Sequence, residues 1–138
     1  MHLTRHTDYA LRMLIYLAQV DDRRASIAEV AENQQISRNH LMKIANELAQ
    51  AGFLEATRGR GGGIALGKPA SEISIAAVVR AMEPRCDLVD CTGCKLARRC
   101  SLPGMLSEAM AAFLDVLGGY TLADVVRVPV GLRVATAL

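Results

Sequence analysis

Four cysteines, Cys86, Cys91, Cys94 and Cys100, are all the thiols of this chain, and they fall in one short stretch. Their spacing is Cys86-x4-Cys91-x2-Cys94-x5-Cys100, with Gly93, Lys95, Arg98 and Arg99 among the intervening residues. Thiolates this close in sequence can converge on one centre, and cationic neighbours stabilise their charge. Three chemistries are open to them. Structural zinc usually takes four cysteines as two separated pairs, and this is one compact run. A thiol-disulfide switch through Cys91 and Cys94 would lack the strand-helix surroundings of a thioredoxin-like site. Iron-sulfur clusters use closely spaced cysteines and accept another ligand in place of one thiolate.

A second set of residues suits nucleic acid. Across residues 36–68 the cations Arg38, Lys43, Arg58, Arg60 and Lys68 face only Glu47 and Glu55, although the whole chain carries a net charge of only +2. Such a patch can neutralise phosphates. Arg and Lys donate to guanine edges and Asn pairs in two-pronged fashion with adenine, so Arg38, Asn39, His40 and Lys43 are expected to be exposed base readers. Arg58 and Arg60 flank and enter a glycine run that could approach the DNA backbone or a narrow minor groove. There is no Ser-His-Asp arrangement or carboxylate pair in a catalytic setting, and the glycine run lacks the strand-to-helix context of a nucleotide loop. The chain therefore reads as a non-enzyme.

The elements that must position these residues are mostly helical. Ala10, Met13, Leu14, Leu17 and Ala18 recur at helical spacing within residues 4–20. Ser26-Ile-Ala-Glu29 predicts a capping box opening a second, short helix. A turn is expected at residues 33–36. Ser37 then caps a third helix with Leu41, Ile44, Ala45 and Leu48 facing inward and an end near Gly52. Residues 53–58 and 64–66 predict two strands around a glycine tip, so the helix pair gains a wing. Ser74 caps a fourth helix that Pro84 stops. A long apolar helix over residues 101–117 has Pro103 in its first turn and a left-handed glycine end at Gly118-Gly119. Thr121 caps a last short helix. The expected fold is mainly α: a winged helix-turn-helix domain (1–83), a cysteine loop (84–100), a dimerisation helix with a short final helix (101–127), and a tail (128–138).

The chain has 138 residues, 51% of them hydrophobic, enough for one core. No run reaches the roughly 18 apolar residues of a membrane span, since Arg12 splits the first helix and Arg127, Pro129 and Arg133 break the tail. The N-terminus lacks a signal-peptide cleavage pattern, so a cytoplasmic location is expected. In a reducing cytosol, clustered cysteines serve more often as ligands or sensors than as disulfides. The helix at residues 101–117 is apolar over much of its circumference, and packing against a second copy would bury the surplus. A two-fold homodimer would present two reading helices about one DNA turn apart, which calls for a palindromic operator in promoter DNA.

The opening Met1-His-Leu-Thr-Arg-His-Thr-Asp-Tyr-Ala-Leu-Arg12, the run Ser37-Arg-Asn-His-Leu-Met-Lys43, Arg58-Gly-Arg-Gly-Gly-Gly63, Leu66-Gly-Lys-Pro-Ala70 and Tyr120-Thr-Leu-Ala-Asp124 resemble the NsrR nitric-oxide-sensing repressors. Those belong to the winged-helix iron-sulfur regulators that also include IscR and RirA. The resemblance covers nearly the whole chain to about Arg127. It implies a 4Fe-4S cluster, with 2Fe-2S as the alternative, held by Cys91, Cys94 and Cys100 with Asp8 of the other subunit as fourth ligand. The absence of any histidine beyond His40 agrees with that, because IscR-like members use a histidine after the third cysteine. Without the resemblance, Cys86, Asp87, Asp90 or a small molecule also qualify, and Asp8 has a plain alternative role in a salt bridge to Arg12. The loop is shorter than in relatives. Cys86 is extra, read as a spare buried thiol, with Cys86, Cys94 and Cys100 as the other ligand set. Nitric oxide as effector is implied too. The alternatives are a regulator of the same build that senses iron or cluster status, and an iron-sulfur electron carrier.

Overall fold

In a computed structural model, residues 1–20 and 23–127 are described. The predicted tail at 128–138 lies outside them. Thr4 starts α1 (Arg5–Gln19), its side chain accepting the Thr7 N–H, and the expected stripe of Ala10, Met13, Leu14 and Leu17 is buried. Ala18 is only half-buried. The buried polar member of this face is Thr7, whose hydroxyl lies 3.1 Å from Thr4 Oγ1.

Ser26 caps α2 (Ile27–Gln34) by accepting the Glu29 N–H, which is half of the expected capping box. The other half does not form. Glu29 turns its carboxylate to the Tyr16 hydroxyl (2.6 Å) and to Arg23, because a guanidinium and a phenol outcompete one backbone amide for it. The turn expected from residue 33 starts later: α2 runs to Gln34 and is closed by Gln35 in the left-handed conformation, φ 54°. Ile36 N–H then bonds to Ala31 O at 3.0 Å and Gln35 N–H to Glu32 O at 3.3 Å, the paired bonds of a Schellman end.

Ser37 caps α3 (Arg38–Gln50), and Leu41, Ile44, Ala45 and Leu48 are buried as expected. The strands β1 (Leu54–Thr57) and β2 (Gly63–Leu66) pair antiparallel, Leu54 opposite Leu66 and Thr57 opposite Gly63. A contact the sequence did not signal extends this hairpin. Ala25 and Ile64 exchange backbone bonds of 2.9 and 2.8 Å, so the segment entering α2 lies along β2.

Ser74 caps α4 (Ile75–Met82), which buries Ile75, Ala76, Val78, Val79 and Met82. After the cysteine segment, α5 (Leu102–Gly118) packs on α4, but Leu114 is its one buried residue. The left-handed glycine end does not occur: Gly119 has φ −76°. The helix instead tightens, Gly119 N–H bonding to Val116 O and Tyr120 N–H to Leu117 O, both at 3.1 Å. Tyr120 O then accepts Ile75 N–H at 3.1 Å, drawing the chain onto Ser74 and into α6 (Leu122–Val126). There Thr121 and Asp124 form a complete capping box. Leu122 is fully buried in the one core that α1, α3, α4 and the hairpin share. Among the described residues no helix is long and apolar enough to cross a membrane.

Candidate functional site

The expected reading face falls on the first turn of α3. Ser37 Oγ accepts the His40 N–H, which fixes the start of the helix, and Arg38, Asn39 and Lys43 are exposed beside it. His40 departs from the expected exposure. It is half-buried, its ring stacked 5.9 Å from His6 and met edge-on by Tyr9 at 5.2 Å, so it joins α3 to α1. The reason is the helical period, which puts residue 40 at the edge of the buried face next to Ile44, on the side that meets α1.

The two acidic residues opposing the basic stretch are occupied from outside it. Glu47 pairs with His6, and Glu55 pairs with Arg24. Arg38, Lys43, Arg58 and Arg60 make no ion pair among the described residues, so their charge faces outward. Lys68 is directed elsewhere, its amine 5.0 Å over the Phe53 ring.

The wing tip carries Arg58 and Arg60, both exposed. Two of its glycines are required by close backbone approach. A Cβ at Gly62 would stand 2.3 Å from Thr57 O, and one at Gly63 (φ 140°) would stand 2.6 Å from Ala25 O. The sequence marked the glycines, but the partner carbonyl at Ala25 belongs to the unforeseen bridge.

The cysteine segment leaves α4 at Glu83 and reaches α5 with little regular structure. Cys91, Cys94 and Cys100 are exposed and free, as are the side chains of Lys95, Arg98 and Arg99 around them. Cys94 N–H bonds to Cys91 O at 3.1 Å, a tight turn that Gly93 makes feasible at φ 71°. Cys86 is half-buried, and it lines an apolar groove of about 570 Å³ with Leu3, Leu11, Met110, Phe113 and Leu117. Among the described residues of one chain, no three His, Cys, Asp or Glu side chains stand together as a metal site. The donor chemistry nonetheless suits an iron-sulfur cluster: three accessible thiols, no disulfide, and cations close in sequence to offset thiolate charge.

Of the carboxylates considered as a further ligand, Asp90 Oδ1 accepts the Thr92 N–H at 2.9 Å, a bond that holds its carboxyl below the usual range. Asp8 sits in the first turn of α1, bonded twice to Arg12: Nη2 to Oδ2 at 2.9 Å and Nε to Oδ1 at 3.1 Å. The fork raises the Arg12 pKa, first through the hydrogen bond and then through the charge of Asp8. Both side chains are close to half exposed. Such a half-exposed pair is strongly screened by solvent, so Asp8 can exchange Arg12 for a stronger partner.

Comparison with known proteins gives a consistent frame. The profile of the Rrf2 family, described as an iron-dependent transcriptional regulator, matches residues 3–128. The chain is similar to the oxidised form of CymR from Staphylococcus aureus, at 26% identity and a TM-score of 0.74 over 93% of this chain and 98% of that one. It is similar to IscR from T. potens, at 22% identity and TM-score 0.74 over 91% and 85%. CymR of B. subtilis, titled the global cysteine regulator, aligns at 23% identity and TM-score 0.72 over 91% and 96%.

Proposed function

The chain belongs to the Rrf2 family of DNA-binding transcriptional regulators, and from that premise we propose that it is a homodimeric repressor whose cysteine loop holds an iron-sulfur cluster that answers to nitric oxide. The observation that carries this reading is the exposed loop presenting three free thiols, Cys91, Cys94 and Cys100. Asp8 of the partner subunit would be the fourth donor. When bound, the cluster supplies iron that nitric oxide can attack.

The residues of this chain do the rest. The three cysteines anchor the loop, and Asp8 ties it to α1 of the other subunit. Loss of that tie returns Asp8 to Arg12, the pairing of the single chain. Arg38, Asn39 and Lys43 read the major groove, and Arg58 and Arg60 hold the neighbouring backbone or minor groove. The exposed apolar face of α5 pairs the two heads. A tie that fixes their spacing changes operator affinity by about one to two orders of magnitude if the coupling is about 1–3 kcal/mol.

Anaerobic native mass spectrometry, counting iron and sulfide per dimer for the wild type, Asp8→Ala and Cys86→Ala, tests the ligand set. Cluster content is expected to fall in the Asp8 variant and to persist in the Cys86 variant. Operator binding that is equal with and without cluster, and before and after nitric oxide, would defeat the reading. A second reading, a regulator of iron or cluster status with a 2Fe-2S centre, is favoured by the iron-dependent description of the family. Mössbauer spectra of the anaerobic protein separate the two.

A further inference from the structure

Glu83 closes α4 and is the last residue before Pro84 and the cysteine segment. Its Oε1 accepts the Thr4 N–H at 2.7 Å and the Thr4 hydroxyl at 3.2 Å, a contact across 79 residues of sequence. Thr4 is the N-cap of α1. Its Oγ1 accepts Thr7 N–H at 3.3 Å and its carbonyl accepts Asp8 N–H at 3.0 Å. One carboxylate thus holds the turn that carries His6, the fully buried Thr7, and Asp8.

That turn is in contact with α3. His6 bonds to Glu47, the His6 ring stacks on His40, and Tyr9 meets His40 edge-on. Glu83 stands at one end of a continuous set of contacts that ends beside Arg38 and Asn39, and contiguous packed groups of this kind can carry a displacement. A carboxylate suits the first position in two ways: it accepts two donors at once, and its charge opposes the positive end of α1.

We propose that Glu83 is a positioning residue for DNA reading, latching the first turn of α1 to the root of the cysteine loop so that movement of that root reaches α3 within the same chain. The latch stands on these bonds alone, and its use as a signal rests on the proposed cluster sensing.

The test compares full-length wild type, Glu83→Ala, Glu83→Gln and the exposed control Glu72→Ala. In iron-stripped protein, amide exchange at Thr7 and Asp8 is expected to rise about fivefold or more in Glu83→Ala, the scale of one lost hydrogen bond. Exchange in the first turn of α3 rises with it. The Gln variant, which keeps an acceptor oxygen, changes less, and the control does not change. If α1 loosens while the α3 amides stay at wild-type rates, Glu83 merely caps α1 and the proposal is overturned. Operator affinity supplies the second readout. The ratio of iron-loaded to stripped affinity is expected to fall toward one in Glu83→Ala, the loaded form losing more than the stripped form, whereas an equal loss in both forms overturns the proposal. A wild type whose ratio is already one would sink the nitric-oxide reading instead, with the exchange data still deciding the latch.

Discussion

Single side chains here carry two jobs that their sequence neighbours do not disclose. Glu29 is spaced to complete a capping box, yet it serves Arg23 and Tyr16, and those bonds, the guanidinium first, hold its carboxyl at about 2 instead of 4.5. A carboxyl whose folded pKa is depressed adds stability that is complete above its unfolded value and is lost as pH falls through the folded one. Glu29→Gln is therefore expected to lower the thermal midpoint at neutral pH, with the mutant and wild-type curves converging as pH drops from 4.5 toward 2. Parallel curves across that window would mean that the triad adds nothing to folding. His40 is the other instructive case. Its position among Arg38, Asn39 and Lys43 marks it as a reader, and its half-buried contact with His6 and Tyr9 makes it a joint between helices.

At the scale of elements, the caps were legible because each is local: Ser26, Ser37, Ser74 and Thr121 each accept from an N–H three residues on. The end of α5 was not, since Tyr120 is pulled away by Ile75 from another helix. The wing combines both kinds of information. Its glycines are visible in the sequence, but the need for Gly62 and Gly63 comes from carbonyls of Thr57 and Ala25. Gly62→Ala forces a backbone shift and is expected to cost about 1–3 kcal/mol, read by chemical denaturation, with operator affinity falling as the tip moves. A variant as stable as wild type would show that the tip has room to adapt.

For the whole molecule, the decisive feature is α5, which leaves Met105 and Val116 more than 60% exposed and Leu102 and Phe113 above 40%. Each is already partly covered in the single chain, so burying the remainder against a second copy contributes on the order of 1 kcal/mol per side chain. Met105→Lys with Phe113→Lys is expected to shift sedimentation from two chains to one and to weaken binding to a two-half-site operator far more than to a half-site. An unchanged mass would remove α5 as the interface. The sequence by itself determined the order of helices, the caps, the hairpin, and which residues carry thiol and cationic chemistry, because these follow from periodicity and from groups a few residues apart. Tertiary structure alone decided how that chemistry is held: Glu47 on His6, Glu55 on Arg24, Ala25 along β2, and Glu83 on Thr4. Each of these joins residues more than 30 positions apart, and no local pattern specifies a partner that only the packing of a shared core brings near.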